Sequence, residues 1–167
     1  MFDPRKEQNR AANLVSLTDT VRSMLEDEDD LVAALANVSA AIRFYVDDIN
    51  WAGFYILKGT ELVLGPFQGL PACTRIEEGK GVCGRAVRDA EPLIVANVHE
   101  FPGHIACDSA SNSEMVVPLF KDNRIYGVLD VDSPSFDRFS GPEADVLIRI
   151  GREISAFLSR SAEEASR

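Results

Sequence analysis

Apolar residues recur every three or four positions in two early stretches of the chain. Leu14, Leu17, Val21 and Met24 form the first series, and Leu31, Leu35, Val38, Ile42 and Tyr45 the second. Such spacing gives a helix one buried face. A third series near the C-terminus is introduced by "SGPE", which places Ser140 to cap, Pro142 in the first turn and Glu143 as a capping-box acid. Leu147, Ile150, Ile154 and Phe157 then make a single apolar stripe. Between the helices the pattern changes to short β-rich runs: "NWAGFYILK" (50–58), "ELVLGPF" (61–67), a brief one near "CTRI", "PLIVANV" (92–98), "EMVVPLFK" (114–121) and "RIYGVLDVDS" (124–133). "KGT" at 58–60 and "KDN" at 121–123 have the composition of hairpin turns, so the strands they join are expected to be antiparallel.

The order helix, helix, strands, helix predicts an α+β domain over residues 1–167, a central antiparallel sheet of about six strands with the N- and C-terminal helices packed on it. "GKGVCGRAVRDA" reads as a glycine-rich lead into a further short helix. Glycine-rich leads can cradle phosphates, but this one lacks the GK[ST] ending of a P-loop.

Composition narrows the function classes. A hydrophobic content of 46% and a charged content of 26% are those of an ordinary globular protein. The net charge of −10, with no Lys/Arg cluster, argues against a nucleic-acid partner. No apolar run approaches the ~18 residues of a membrane span. The charged start "MFDPRKEQNR" lacks the apolar stretch of a signal peptide, so a cytosolic protein is expected.

Strand alternation sorts the residues that could carry chemistry. In "RIYGVLDVDS", Ile125, Leu129 and Val131 should face one way and Tyr126, Val128, Asp130 and Asp132 the other. Asp130 and Asp132 then share a face, about 7 Å apart. Trp51, Gly53 and Tyr55 likewise share a face, and the two aromatics could wall a pocket with Gly53 leaving room between them. Glu114 opens the strand that follows a polar loop, "GHIACDSASNSE", and that loop holds Cys107. Singly, each feature has a plain structural explanation as solvated acid or core aromatic; their combination asks for more.

The chain has three cysteines, Cys73, Cys83 and Cys107, with His104 just before the last. Zinc sites bring ligands in close pairs such as C-x2-C, which are absent, and no metal is expected. Thiol redox chemistry fits better: a thiolate attacks, becomes a sulfenic acid and condenses with a second thiol.

"INWAGFYIL", "LGPFQGLPACTRIEEGKGVCGRA", "HIACDSASNSEMVVPLF" and "GVLDVDS" closely resemble the free methionine-(R)-sulfoxide reductases, enzymes of GAF fold. The resemblance runs from about residue 10 to 158 and covers all three cysteines, the acids and both aromatics. It implies Cys107 as the nucleophile, Cys73 as the resolving cysteine and Cys83 as an auxiliary one. It also implies Trp51 and Tyr55 around the methylsulfinyl end of the substrate, with Glu114, Asp130 and Asp132 as the polar groups. The residues alone leave open whether Cys107 pairs with Cys73 or Cys83.

Three carboxyls crowded together cannot all ionise at neutral pH, so at least one is expected to stay protonated and able to donate to the sulfoxide oxygen. Catalytic roles are thus expected for Cys107, Cys73, Cys83, Glu114 and Asp132, and substrate contacts for Trp51, Tyr55 and Asp130. The resemblance further implies no cofactor, a dithiol reductant such as thioredoxin, and a homodimer formed through the N-terminal helices. A non-catalytic GAF sensor is the main rival, and a peroxide-sensing thiol protein the second; neither explains cysteines, acids and aromatics together.

Overall fold

In the computed structural model, residues 5–105 and 107–164 of the 167 are described. Two helices, α1 (Arg10–Glu26) and α2 (Leu31–Tyr45), lead into β1 (Trp51–Lys58), β2 (Glu61–Gln68) and β3 (Arg75–Glu77). A short helix, α3 (Gly81–Asp89), is followed by β4 (Leu93–Val95), a 3-10 turn at Val98–Glu100, β5 (Ser113–Lys121), β6 (Arg124–Ser133) and α4 (Pro142–Glu164). The strands form one six-stranded antiparallel sheet in the order β3-β2-β1-β6-β5-β4.

The two faces of the sheet are covered differently. Ala52, Phe54, Met115, Val117, Leu119, Leu129 and Val131 pack against the apolar stripes of α1, α2 and α4. Each large side chain fully buried there contributes roughly 1.5–3 kcal/mol, which makes this layer the stable platform of the molecule. Trp51, Tyr55, Val116 and Val128 point to the opposite face, where α3 covers them with Val82, Cys83, Ala86 and Val87. The short helix comes close because Gly84 has no side chain; a Cβ there would overlap the Glu77 carbonyl.

Both hairpin turns form as expected. Asp122 and Asn123 take positive φ values of 50° and 62°, the two-residue turn that matches strand twist. Asn9 and Asp30 cap α1 and α2, accepting from Ala11 N and Ala33 N.

Three expectations are corrected. The capping box at "SGPE" does not form: α4 opens at Pro142, so Glu143 is its second residue, and its carboxylate meets Arg10 and Arg138. The strand expected over 92–98 is only Leu93–Val95, because Asn97 caps the 3-10 turn by accepting from His99 N. Finally, Ile125 packs with the α3 layer and Tyr126 with the α1/α2/α4 layer. The register shift between Leu119 and Phe120 inserts one residue and reverses the alternation at the start of β6.

Candidate active site

The site lies on the α3 face, and the sheet register builds it. Glu114, Asp132 and Trp51 are neighbours across β5, β6 and β1; Val116, Asp130 and Gly53 form the next row; Pro118, Val128 and Tyr55 the row after that. Directly opposite residues share a face, so all three acids and both aromatics emerge on one side; strand alternation had paired Asp130 with Asp132 and Trp51 with Tyr55, and the register adds Glu114 and brings the two pairs together.

A small cavity of about 30 Å³ opens in front of them, lined among others by Tyr55, Cys83, His104, Cys107, Glu114, Asp130 and Asp132. Cys73 and Cys107 are joined by a disulfide that bridges 34 residues of sequence, with Cα atoms 5.3 Å apart. Cys83 is a free thiol, buried in the first turn of α3. The pairing left open by sequence is therefore Cys73 with Cys107.

The carboxyls are displaced from their ordinary behaviour. Glu114 and Asp130 are each 6% exposed. Burial is the largest cause of their rise, pushing Asp130 to about 7 and Glu114 well above the usual carboxylate range; the neighbouring charges of Asp130 and Asp132 add to the rise of Glu114. Asp132 is also raised, by burial first and then by Asp130 and Asp108. Like-charge crowding, the cause expected from sequence, is thus secondary to desolvation. At neutral pH the cluster retains protons.

Cys83 Sγ donates to Glu114 Oε1 at 3.8 Å, and burial followed by the charges of Asp130 and Glu114 pushes this thiol up. His104 Nε2 lies 3.7 Å from Glu114 Oε2. Burial and His99 lower the His104 pKa, so the imidazole is neutral at neutral pH.

Of the two aromatics only Tyr55 lines the cavity, and both hold a neighbouring loop. Tyr55 Oη donates to the Cys73 carbonyl at 2.9 Å, and Trp51 Nε1 donates to the Leu70 carbonyl at 3.2 Å. Both therefore fasten the loop that carries Cys73. Trp51 is not among the residues lining the cavity; it stacks between Tyr55 and Phe67, with ring centroids 5.9 and 5.3 Å away. Gly53 makes that stack possible, since a Cβ there would overlap Phe67 and crowd Trp51. The gap expected above Gly53 is filled by those rings.

The Cys107 loop is fastened from the other side. Asn50 Nδ2 donates to Asp108 Oδ2 at 2.8 Å and to Ser111 Oγ at 3.0 Å, and Ala110 N donates to Asp108 Oδ1 at 2.9 Å. Asn50, Asp108 and Ser111 did not stand out in the sequence, although Asp-Ser-Ala-Ser is the composition of a side-chain-stabilised turn. The start of α3, read from the sequence only as a glycine-rich lead into a short helix, also belongs to the cavity. Gly81, Val82 and Cys83 line the cavity, and the N-cap residue Lys80 makes no side-chain cap bond. The first N–H groups of a helix have no partner inside it, and this end carries the positive pole of the dipole. The cavity thus has an acidic wall and an electropositive one.

An antiparallel sheet carrying helices on one face and a small-molecule cavity under a short helix on the other defines the class. Residues 24–159 match the GAF domain family. The free methionine-R-sulfoxide reductase of Escherichia coli is 44% identical over 151 residues, 90% of this chain and 92% of that protein. The free methionine-R-sulfoxide reductase of Neisseria meningitidis, solved in complex with its substrate, superposes with a TM-score of 0.91 at 40% identity, covering 97% of this chain and 99% of that one. The fRMsr of Staphylococcus aureus in its reduced form is 50% identical over 87% of this chain and 95% of that one, with a TM-score of 0.84. The chain belongs to the free methionine-R-sulfoxide reductase family of GAF-domain proteins.

Proposed function

We propose that this chain reduces free L-methionine-(R)-sulfoxide to methionine through Cys107, Cys73 and the buried carboxyls. The observation that carries the reading is the Cys73–Cys107 bridge at the rim of a cavity floored by Glu114, Asp130 and Asp132. In the first step the Cys107 thiolate attacks the substrate, a protonated carboxyl gives its proton to the sulfoxide oxygen, and that oxygen passes to Cys107 as a sulfenic acid while methionine leaves. In the second step the Cys73 thiol attacks the Cys107 sulfur, the disulfide forms and the hydroxyl departs as water. An external dithiol, of the thioredoxin kind, then exchanges with the disulfide and restores both thiols.

Glu114 and Asp132 are the proton donors in this scheme, since both are held protonated beside the cavity. Asp130 contributes charge that meets the substrate's ammonium. Tyr55 closes the apolar side of the cavity, and Trp51 supports it from behind. Cys83 is auxiliary, because its direct contact with Glu114 keeps its thiol protonated.

The polarity of the cavity supports a free amino acid. Its acidic wall suits an ammonium and the start of α3 suits a carboxylate, and a free amino acid presents both. A residue within a peptide presents neither, and each buried polar group left unpaired costs roughly 1–3 kcal/mol. In the disulfide-bonded state about 30 Å³ holds one or two waters, not an amino acid. The disulfide-bonded form is therefore the state after chemistry, and reduction must free the Cys107 loop before substrate enters.

The test is turnover with dithiothreitol on both sulfoxide epimers of free methionine and on the N-acetylated, C-amidated derivative. Turnover of the free R epimer, with kcat/KM lower by about 10²-fold or more on the blocked compound, is the expected result. Equal rates on the blocked substrate, or a preference for the S epimer, would overturn the reading. No turnover of any sulfoxide would favour the ligand-sensing alternative.

A further inference from the structure

Three donor atoms of two chemical types converge in the cavity wall. Cys83 Sγ and one carboxylate oxygen from each of Glu114 and Asp130 all lie within 4.8 Å of one another. They ride on α3, β5 and β6, so regular elements rather than a loop hold them in place. Cys83 Sγ and Glu114 Oε1 are 3.8 Å apart. A tetrahedral zinc ion with sulfur at about 2.3 Å and oxygen at about 2.1 Å would set that edge at roughly 3.6 Å.

A second observation points to a missing partner. Asp130 is 6% exposed and lines the cavity; its carboxyl interacts with Cys83, Glu114 and the Val131 backbone, yet one oxygen, Oδ1, has no hydrogen-bond partner among the described residues. An unsatisfied buried acceptor is costly and calls for an occupant. The space of about 30 Å³ in front of it admits an ion with one water. The sequence argued against zinc because close cysteine pairs are absent; the fold supplies the convergence differently, with one thiol and two acids from adjacent strands.

We propose that this cavity holds a divalent cation of the zinc class on Cys83, Glu114 and Asp130, with water in the fourth position, when substrate is absent. Three protein ligands and an open fourth position are ordinary for zinc, and the thiolate selects against magnesium and calcium, which require more oxygen ligands. Binding displaces the protons these ligands carry and releases them to the buffer. If the proposed function holds, the cation and the substrate's ammonium compete for the same carboxyls, so zinc excludes substrate.

The disulfide-bonded protein is the material for the test. Of the three cysteines only Cys83 is then free, and no thiolate signal can arise from Cys73 or Cys107. Metal-free oxidised protein should take up one equivalent of Zn²⁺ in competition with a chromophoric chelator. One equivalent of Cd²⁺ should produce a thiolate-to-metal charge-transfer band in the ultraviolet. Cys83→Ser should abolish that band, and Asp130→Asn and Glu114→Gln should each weaken zinc binding about 10-fold or more; excess Mg²⁺ should not displace the ion. Thermal melts establish that each variant is folded. Should Cys83→Ser fail to fold, the wild-type cadmium band and its response to Asp130→Asn decide the matter. Absence of zinc uptake by folded wild type, cadmium binding without the charge-transfer band, or zinc affinity unchanged in the folded variants would overturn the proposal. None of these readings depends on sulfoxide turnover, so they stand whether or not that assay succeeds.

Discussion

Replacing Asp130 by asparagine should stabilise the folded protein at pH 8 and change little at pH 4. Burial raises the Asp130 carboxyl from its ordinary 3.8 to about 7. A carboxyl whose folded-state pKa lies above its unfolded value gives stability that is whole below the unfolded pKa and is lost as pH rises through the folded one. The window is therefore about pH 4 to 7. Three pH units at about 1.4 kcal/mol each make the loss on the order of 4 kcal/mol by pH 8. Asparagine has the shape of the protonated acid and never ionises, so it avoids that loss. It also lightens the load on Glu114 and Asp132, whose carboxyls the Asp130 charge pushes up. The measurement is urea unfolding of the oxidised protein from pH 4 to 8, reading the difference between variant and wild type. Taking the difference removes the opposite trend from exposed pairs such as Arg88–Asp89, which gain strength as pH rises. A difference flat with pH, or one that favours wild type at pH 8, would refute the argument that desolvation dominates this cluster.

Other variants separate the roles of the remaining groups. Cys107→Ser should give no methionine at all, because a serine hydroxyl is a poor nucleophile towards sulfur. Cys73→Ser should still release one equivalent in a single-turnover burst and leave a sulfenic acid detectable by mass, while turnover with thioredoxin collapses; Cys83→Ser should lose least of the three. A normal burst from Cys107→Ser, or none from folded Cys73→Ser, would reverse the assignment. Glu114→Gln and Asp132→Asn should lower kcat about 10²-fold or more with a smaller change in KM, and near-normal kcat in both would reduce the acids to binding groups. Tyr55→Phe removes the hydroxyl that donates to the Cys73 carbonyl. It should slow disulfide formation more than the first burst, and equal slowing of both phases would place Tyr55 at the substrate instead.

Those assignments differ in how far the chain alone disclosed them. Period-two alternation put Asp130, Asp132, Trp51 and Tyr55 on shared faces, and the sheet keeps them there because a one-residue slip would bury the wrong side chains. The same rule failed for Ile125 and Tyr126, since a bulge depends on how two strands pair and leaves no local mark. Helical spacing placed α1, α2 and α4, whereas "SGPE" misled: the capping box requires Glu143 for itself, and Arg10 from the first helix together with Arg138, just upstream in the chain, claims it. The partner of Cys107 was beyond spacing arguments, because a sequence separation of 34 and four elements, β3, α3, β4 and the 3-10 turn, lie between the two thiols. Asn50 and Asp108 escaped for a related reason. Each is an ordinary turn residue until the fold brings them within hydrogen-bonding distance.

The placement of the cysteines resolves a conflict inherent in the chemistry. Sulfoxide reduction needs a protonated acid near the substrate oxygen and a thiolate near its sulfur, but acids close to a thiol keep it protonated. Cys83 illustrates the cost: it touches Glu114, and burial with the charges of Asp130 and Glu114 pushes it well above an ordinary thiol. A nucleophile placed there would be inert. Cys107 instead reaches the cavity from a half-buried loop, beside Ile105 and facing Gly81 and Val82 at the electropositive start of α3. Desolvation and negative charge are thus concentrated where protons must be kept, and the helix end lies where one must be lost. Under the proposed mechanism, the same separation accounts for Cys73, rather than the buried Cys83, being the thiol bridged to Cys107. Cys73 sits outside the sheet on a loop that Trp51 and Tyr55 hold by its carbonyls, away from the cavity lining and bonded to Cys107.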